Sequence, residues 1–513
     1  MALQPATVSR TAHCALSCWG DEFDHLLSTL LTETEAVDCR WVHPVKNQHP
    51  VWLTLHEWAA LFGDPAQSGP WAERLKRVWM PPHWRRTRDN PPMHPNALID
   101  LTTQLVREVL KLDAPADSIV SYFFRQNKAL GQRERHALAE TAYAVLRQKL
   151  LWAHLAQSGQ GPVERRMALL AWQGQPHVLK VGLNADELGW LERTEKIDRT
   201  ALPEKLKHNL PDWLANPLRE QLGDEGFWAL VETFSAGAPL DLRVNAVKAK
   251  REAVLQALID AGIPATITPY SPVGIRIEGK PALNKMALYT EGHVEVQDEG
   301  SQLLALLTGA KRGEMVVDFC AGAGGKTLAL GAMMRNTGRL YAFDVSGHRL
   351  ENLKPRLARS GLSNVYPAQI AHERDERIKR LSGKIDRVLI DAPCSGLGTL
   401  RRNPDLKWRQ SPKAVAELQE KQLAILNSAV RLLKPGGRLV YATCSVLPAE
   451  NEVVVAQFSE AHKDLIAMPA QDLLRQAGVE QPDPLVNELG HLRLWPHQHA
   501  TDGFYAAVWE KKA

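Results

Sequence analysis

No stretch of the 513-residue chain stays apolar long enough to span a bilayer. Its first twenty residues, MALQPATVSRTAHCALSCWG, lack the unbroken apolar core of a secretory leader. Membrane-spanning and exported classes drop out on these grounds, and a cytoplasmic protein is expected. Cysteine is scarce. Cys14, Cys18 and Cys39 fall in the first forty residues, and Cys320, Cys394 and Cys444 fall far downstream. Six residues so placed are no disulfide framework, and a cytoplasmic chain keeps them reduced. The first three lack paired Cys-x-x-Cys spacing, so no metal site is expected. A decisive net charge is missing too: +4 is too mild to identify a partner. Internal repeats and low-complexity segments are also lacking. What remains is an ordinary globular composition in a chain too long for one core, so three or four domains are expected.

The distribution of charge says more than its sum. Between Arg335 and Arg387 stand twelve Lys/Arg against six Asp/Glu, so this segment carries +6 while the rest of the chain nets negative. A basic face of that kind suits a polyanionic substrate. Just before it lies Met315–Lys326, MVVDFCAGAGGK. A short apolar strand breaks into Cys320, Ala321, Gly322, Ala323, Gly324 and Gly325, and Lys326 opens a helical pattern. Strand, glycine turn and helix form the first βα unit of a nucleotide-binding α/β sheet. The next strand, Arg339–Asp344, ends on Asp344, where such folds hold ribose hydroxyls. An acid there also suits a helix N-cap.

The chain before this sheet has three parts. Residues 1–92 are an extension rich in Trp and Pro, with a short amphipathic pattern over Leu53–Phe62 and an extended, proline-punctuated run over Trp79–Pro92. Met93 opens a clean helical segment and is an alternative start. From residue 94 to about 180 the pattern is helical: Leu98, Leu101, Leu105, Val109 and Leu112 share one face, and a second helix ends at Gln126. A long third helix is expected over Arg133–Gln157. Residues 181–236 stay helical, with Trp213 as a packing anchor. From Leu240 the period changes to that of a small α+β domain, with strands at Leu240–Val244, Ala265–Thr268 and Gly274–Ile277. Residues 291–513 then alternate strands and helices in an open, largely parallel sheet, closed by an antiparallel hairpin from Leu492–Pro496 and Phe504–Trp509.

Two cysteines sit just past strand ends, where ligands bind in such sheets. One strand runs into Asp391-Ala392-Pro393-Cys394, the other into Thr443-Cys444-Ser445. A lone cysteine there is most often buried filler. Two thiols beside a cofactor turn suit covalent chemistry on a pyrimidine. Carbon 5 of the ring is a poor nucleophile until a thiolate adds to carbon 6. It can then take a methyl group from a sulfonium, after which a base removes the carbon 5 proton and the thiol is eliminated. The thiol must act as thiolate. Asp391 suits a hydrogen bond to the ring edge, and Lys326 adds positive charge.

These stretches, with Thr399–Trp408 and Tyr441–Glu452, resemble the RsmB/Sun family of bacterial RNA cytosine-C5 methyltransferases, from about Asn96 to the end. The resemblance implies a Rossmann-like class I methyltransferase domain at 291–513. Before it would lie an all-α NusB-like RNA-binding domain at 93–180, then a helical linker and small α+β domain at 181–290. It implies S-adenosyl-L-methionine as cofactor and a cytidine of small-subunit 16S rRNA as target. Carried over by position, Cys444 is the nucleophile and Cys394 assists release. Asp391 and Lys326 contact the target base. Cys320–Gly325 cradle the methionine end of the cofactor, and Asp344 holds its ribose. Asp391 is expected at the cofactor as well.

Four further expectations follow. Gly322 and Ala323 stand where the family usually has Ala and Pro, which should loosen the turn. The family's adenine-contacting acid falls near Ala371, leaving Gln369, Glu373 or a backbone carbonyl as substitutes. Arg401, Arg402, Lys407, Arg409 and Lys413 read as a strip gripping RNA phosphates. A monomer is expected. Two other readings stay open: a DNA cytosine-C5 methyltransferase using Cys394, and a non-catalytic RNA-binding ribosome-assembly factor.

Overall fold

The computed structural model describes residues 41–43, 51–53, 93–279 and 281–512. The chain divides into two compact units, Met1–Pro92 and Met93–Ala513. In the first, β1 (Trp41–His43) pairs antiparallel with β2 (Val51–Leu53), Trp41 opposite Leu53. The expected helix over Leu53–Phe62 lies outside the described residues, apart from Leu53 itself, which ends β2. The extended run Trp79–Pro92 also lies outside them.

The second unit begins with helices. Pro95–Leu110 buries Leu98, Leu105 and Val109, the face its spacing predicts. A helix over Ala116–Gln126 follows. The expected long third helix is broken. It runs Gln132–Arg147, leaves helical geometry at Gln148 (φ −122°, ψ 39°) and resumes over Lys149–Leu155. The break has a physical reason. The amide of Leu151 bonds the side chain of Asn209. The carbonyls of Leu146 and Arg147 accept instead from Trp408 Nε1 and Lys407 Nζ, each at 2.7 Å. Side chains from elsewhere in the fold thus partner the Leu146 and Arg147 carbonyls and the Leu151 amide, and the broken turn becomes a docking point.

A four-stranded antiparallel sheet comes next, in the order β4 (Ala265–Ile267), β5 (Gly274–Ile277), β3 (Leu240–Val244), β6 (Val294–Val296). Its three sequence-predicted strands are all present. Alternation along β3 splits its side chains between two faces. Leu242 and Val244 pack with Val254 and Leu258 of the helix Arg251–Asp260. Asp241, fully buried, accepts both the Arg276 guanidinium and the amide of Glu299.

The large sheet has eight strands: β7 (Met315–Asp318), β8 (Arg339–Asp344), β9 (Val365–Gln369), β10 (Ile385–Asp391), β11 (Leu433–Thr443), β12 (Leu465–Met468), β13 (Leu492–Leu494) and β14 (Phe504–Lys511). Their order is β12-β14-β11-β10-β7-β8-β9, with β13 on β14. β11, β10, β7, β8 and β9 are parallel, and β14 is antiparallel to β11, β12 and β13. The C-terminal hairpin is thus observed. Val316 and Val317 face opposite sides of the sheet and enter separate apolar clusters, so both faces are covered. Strand order reverses between β7 and β10. A crevice at the carboxyl ends of these strands is where such folds bind ligands.

Candidate active site

The glycine turn sits at that reversal. Ala321 donates its amide to the carbonyl of Phe343, and Phe319 to that of Leu389, which ties the turn to both neighbouring strands. Gly322 (φ +55°) and Gly324 (φ +84°) hold left-handed conformations that a side chain would strain. A Cβ on Gly324 would also overlap Leu353, whereas the space over Gly322 is open. Gly324 caps the helix Gly325–Met333, whose first amides face the crevice. The expected loosening at Ala323 is met by a brace: Arg356 Nη1 donates to the Ala323 carbonyl at 2.7 Å, and Arg356 is itself anchored on Glu295. Below the turn, burial pushes the Asp318 carboxyl up to about 7, and Thr327 donates to it.

Asp344 lies at the carboxyl end of β8, 6% exposed. One carboxylate oxygen accepts the Gly322 amide at 2.8 Å and the other the Ser346 amide at 2.7 Å. Each oxygen has a second lone pair, so it can still accept from hydroxyls. Next to it along the crevice stand exposed Val345, then Gln369 and Ala371. A cavity of about 550 Å³ is lined by residues 367–371 with Asp375 and Arg377. Gln369 spends its amide on the Val345 carbonyl. The carboxylate that reaches the Ala371 backbone is Asp375, at 2.9 Å. Its backbone hydrogen bonds from Ala371 and Arg377 hold it below the usual carboxylate range. Asp375 lies four residues beyond Ala371, the position where the resemblance places the acid.

The thiols of Cys394 and Cys444 lie 3.3 Å apart, although fifty residues separate them. Parallel pairing of β10 with β11 sets Asp391 opposite Ala442 and brings the two loops together. The hydrogen bond with Cys444, then burial, pushes the Cys394 thiol well above its ordinary value, so the proton stays on Cys394. Lys326 Nζ contacts Asp391 Oδ2 at 2.6 Å. Burial pulls the Lys326 ammonium down, but Asp391 and the nearby Cys444 sulfur outweigh it, and the net shift is upward. Lys326 is therefore a buried cation beside the thiols. Cys320 is pushed well up by burial, then by the carboxylates around it.

Both cysteine loops hang on Glu450, which is fully buried. Its carboxylate accepts the amide and hydroxyl of Ser395, the hydroxyl of Ser445 and the Gln422 side-chain amide. Neighbouring Asn451 accepts from Thr443 and donates to the Ser445 carbonyl. The residues flanking each thiol thus converge on one carboxylate. Glu450 lies within the Tyr441–Glu452 stretch, beside the thiol motif rather than in it. Its sequence signal is an acid closing the apolar run Val446-Leu447-Pro448-Ala449.

The expected phosphate strip is corrected by the structure. Arg401 and Lys407 are buried, 5% and 4% exposed. Arg401 donates to the Thr501 carbonyl, Arg402 bridges Asp298 and Asp502, and Arg409 pairs with Asp405. Lys407 and Trp408 hold the broken third helix, and Asp405 accepts the Ala116 amide. Arg401, Arg402 and Arg409 are ion-paired within the unit and Lys407 is buried against a backbone carbonyl, so these groups are not free to grip a phosphate. Lys413 alone stays exposed. By contrast Arg339, Arg349, Lys354, Arg374 and Lys379 of the basic segment are exposed.

The model of the 16S rRNA methyltransferase RsmB/F family matches residues 305–510. That of the RsmF/B-like ferredoxin-like domain matches residues 210–284. A probable ribosomal RNA small subunit methyltransferase B of Synechocystis sp. is 35% identical over 308 residues, 60% of this chain and 67% of the relative. The chain belongs to the RsmB/F family. A Bacillus subtilis relative of the same name is 32% identical, over 59% of this chain and 66% of its own length. The matches thus span about two thirds of these relatives. The solved structure of PH0851 superposes with a TM-score of 0.67 at 26% identity, covering 82% of this chain and 99% of its own. As a member of the RsmB/F family, the protein is an S-adenosylmethionine-dependent RNA methyltransferase. The residues present suit that cofactor: the open face over Gly322, the Gly325 amide at the helix start and the spare lone pairs of Asp344. No helix among the described residues is long and apolar enough to cross a membrane.

Proposed function

We propose that this RsmB/F-family enzyme methylates carbon 5 of a cytidine in 16S ribosomal RNA through a covalent bond from Cys444 to carbon 6. The observation that carries the reading is the 3.3 Å approach of the two thiols beside the buried Lys326 cation. S-adenosylmethionine, when bound, supplies the methyl carbon as a sulfonium. Cys444, as thiolate, adds to carbon 6, and the electrons of the 5,6 double bond move into the ring and make carbon 5 nucleophilic. Lys326 and Asp391 hold the ring edge and balance the developing charge. After carbon 5 has taken the methyl group, its proton must leave and the bond to Cys444 must break. The Cys394 proton passes toward the departing Cys444 sulfur, and the Cys394 sulfur collects the proton leaving carbon 5. Cys320 to Gly325 and Asp344 would hold the cofactor, and Asp375 would accept from its adenine amine. The exposed basic residues from Arg339 to Lys379 and the helical region over residues 93–180 hold the RNA strand.

Single variants test the assignment. Cys394→Ala should accumulate a covalent protein–RNA adduct on 16S rRNA, stable in denaturing gels, and lose turnover. Cys444→Ala should lose turnover with no adduct. The reverse pattern would transfer the nucleophile to Cys394, and unchanged bisulfite readout at every 16S cytidine in a deletion strain would refute the substrate.

A further inference from the structure

A second cavity, of about 410 Å³, opens between the small sheet and the catalytic unit. Gly309 to Lys311 precede β7, Met333 closes its helix, and Arg438, midway along β11, pairs with Arg387 near the start of β10. The cavity is therefore at the amino ends of the parallel strands, opposite the thiols and the glycine turn. Arg243, Arg438, Arg335 and Lys311 line it, and no Asp or Glu does. Arg243 decides its character. It is 4% exposed, and its Nε is buried without a partner. Glu295 stands directly across the strand pair, but Arg356 and Arg359 already occupy that carboxylate. Burial draws the Arg243 guanidinium down to about 10, which still leaves it charged at neutral pH. Arg438 repeats the pattern: its Nε is buried and unpartnered, and its Nη1 reaches only two carbonyls at 3.4 Å. Glu295 near Arg243, and Glu510 and Glu314 near Arg438, offset part of the burial cost from a distance, but none forms an ion pair with either guanidinium, and an anion in the cavity would supply that direct partner. The rest of the wall is mostly apolar, including Val273 and Met333, with Gln302 and Gln476 as its uncharged polar side chains.

We propose that this cavity binds a phosphorylated ligand of about one nucleotide in size, with Arg243 and Arg438 on the phosphate and the apolar wall against the remainder. Four cations without a carboxylate favour a phosphate over a single carboxylate, and guanidinium forks match its oxygens. The volume falls in the range of small-ligand sites. A phosphate of the bound RNA strand and a free mononucleotide share this chemistry.

Calorimetry on the full chain tests it, with the cofactor crevice filled by S-adenosylhomocysteine. Cytidine 5′-monophosphate should bind, inorganic phosphate should bind more weakly, and cytidine should not bind. Arg243→Met should weaken nucleotide binding by about tenfold or more, with S-adenosylmethionine affinity unchanged as proof of folding. Arg438→Gln should act in the same direction and serves as a second variant. If Arg243→Met also lowers the salt slope of 16S rRNA fragment binding by about one, the phosphate belongs to the RNA strand. If RNA binding is untouched while mononucleotide binding is lost, the ligand is a free nucleotide. Equal nucleotide affinity in wild type and both variants, or no binding of nucleotide or phosphate to wild type, would overturn the proposal.

Discussion

Lys407 Nζ donates to the carbonyl of Arg147 across 260 residues of sequence, at the point where the third helix breaks. The bond joins the helical region to the loop that follows Cys394. Burial pushes the Lys407 ammonium down to about 7, with Arg147 adding to the effect. The unfolded chain keeps the ordinary lysine value, so between pH 7 and 10 it holds a proton that the folded chain lacks. Stability should therefore rise with pH across that window, by about 2–4 kcal/mol. Lys407→Met should abolish the rise, so its profile stays flat while the wild type's climbs, and the stranded Arg147 carbonyl should cost about 1 kcal/mol at the top of the window. Denaturant titrations at pH 7, 8, 9 and 10 check this, and parallel profiles for the two proteins would refute it.

The two thiols predict oxidant sensitivity. A sulfur separation of 3.3 Å must close to about 2 Å for a disulfide, a small movement for two loop side chains. Diamide should take two hydrogens from the pair, giving a Cys394–Cys444 crosslink visible by mass spectrometry. Methyl transfer should stop and dithiothreitol should restore it. Cys394→Ala should form no crosslink. If both thiols remain open to alkylation after diamide, the side chains cannot close.

Much of the catalytic unit was legible because its signals are local. The turn from β7, Asp344 at the end of β8 and the two cysteines past β10 and β11 each follow from a strand and the residues just after it. What stayed hidden was non-local. The cluster Arg401, Arg402 and Lys407 looks like a free basic strip, since nothing near it in sequence shows Asp502 or Asp298 about a hundred residues away. The long third helix was predicted from its apolar spacing, and the competing donors Lys407 and Trp408 were invisible to that pattern. Asp375 was missed for a different reason: the chain doubles back after Ala371, so an acid four residues on returns to the position where one was sought.

Asp375 leads to a prediction about the cofactor. Its carboxylate already orders the Ala371 and Arg377 amides, and lone pairs remain for an exocyclic amine. Asp375→Ala should weaken S-adenosylmethionine binding about tenfold, near the value of one charge-assisted hydrogen bond. Glu373→Ala should leave it unchanged, because the Glu373 carboxylate faces Arg374. Calorimetry with both variants decides between the two acids, and a loss confined to Glu373→Ala would assign the contact there instead.

Glu450 should position the thiols without touching the RNA. Four donors converge on its two oxygens, from Ser395, Ser445 and Gln422. Glu450→Gln puts an NH2 group where donors already point, so at least one buried donor loses its acceptor, at about 1–3 kcal/mol. The loops carrying Cys394 and Cys444 would then separate, and misplacement by about 1 Å costs roughly a hundredfold in rate. Turnover should fall by that order while S-adenosylmethionine affinity holds, since the glycine turn and Asp344 do not contact Glu450. Diamide adds a readout that simple destabilisation would not move. In Glu450→Gln the Cys394–Cys444 crosslink should form more slowly at a temperature where the variant is fully folded. Wild-type turnover together with a wild-type crosslinking rate would show that the loops keep their geometry without this carboxylate.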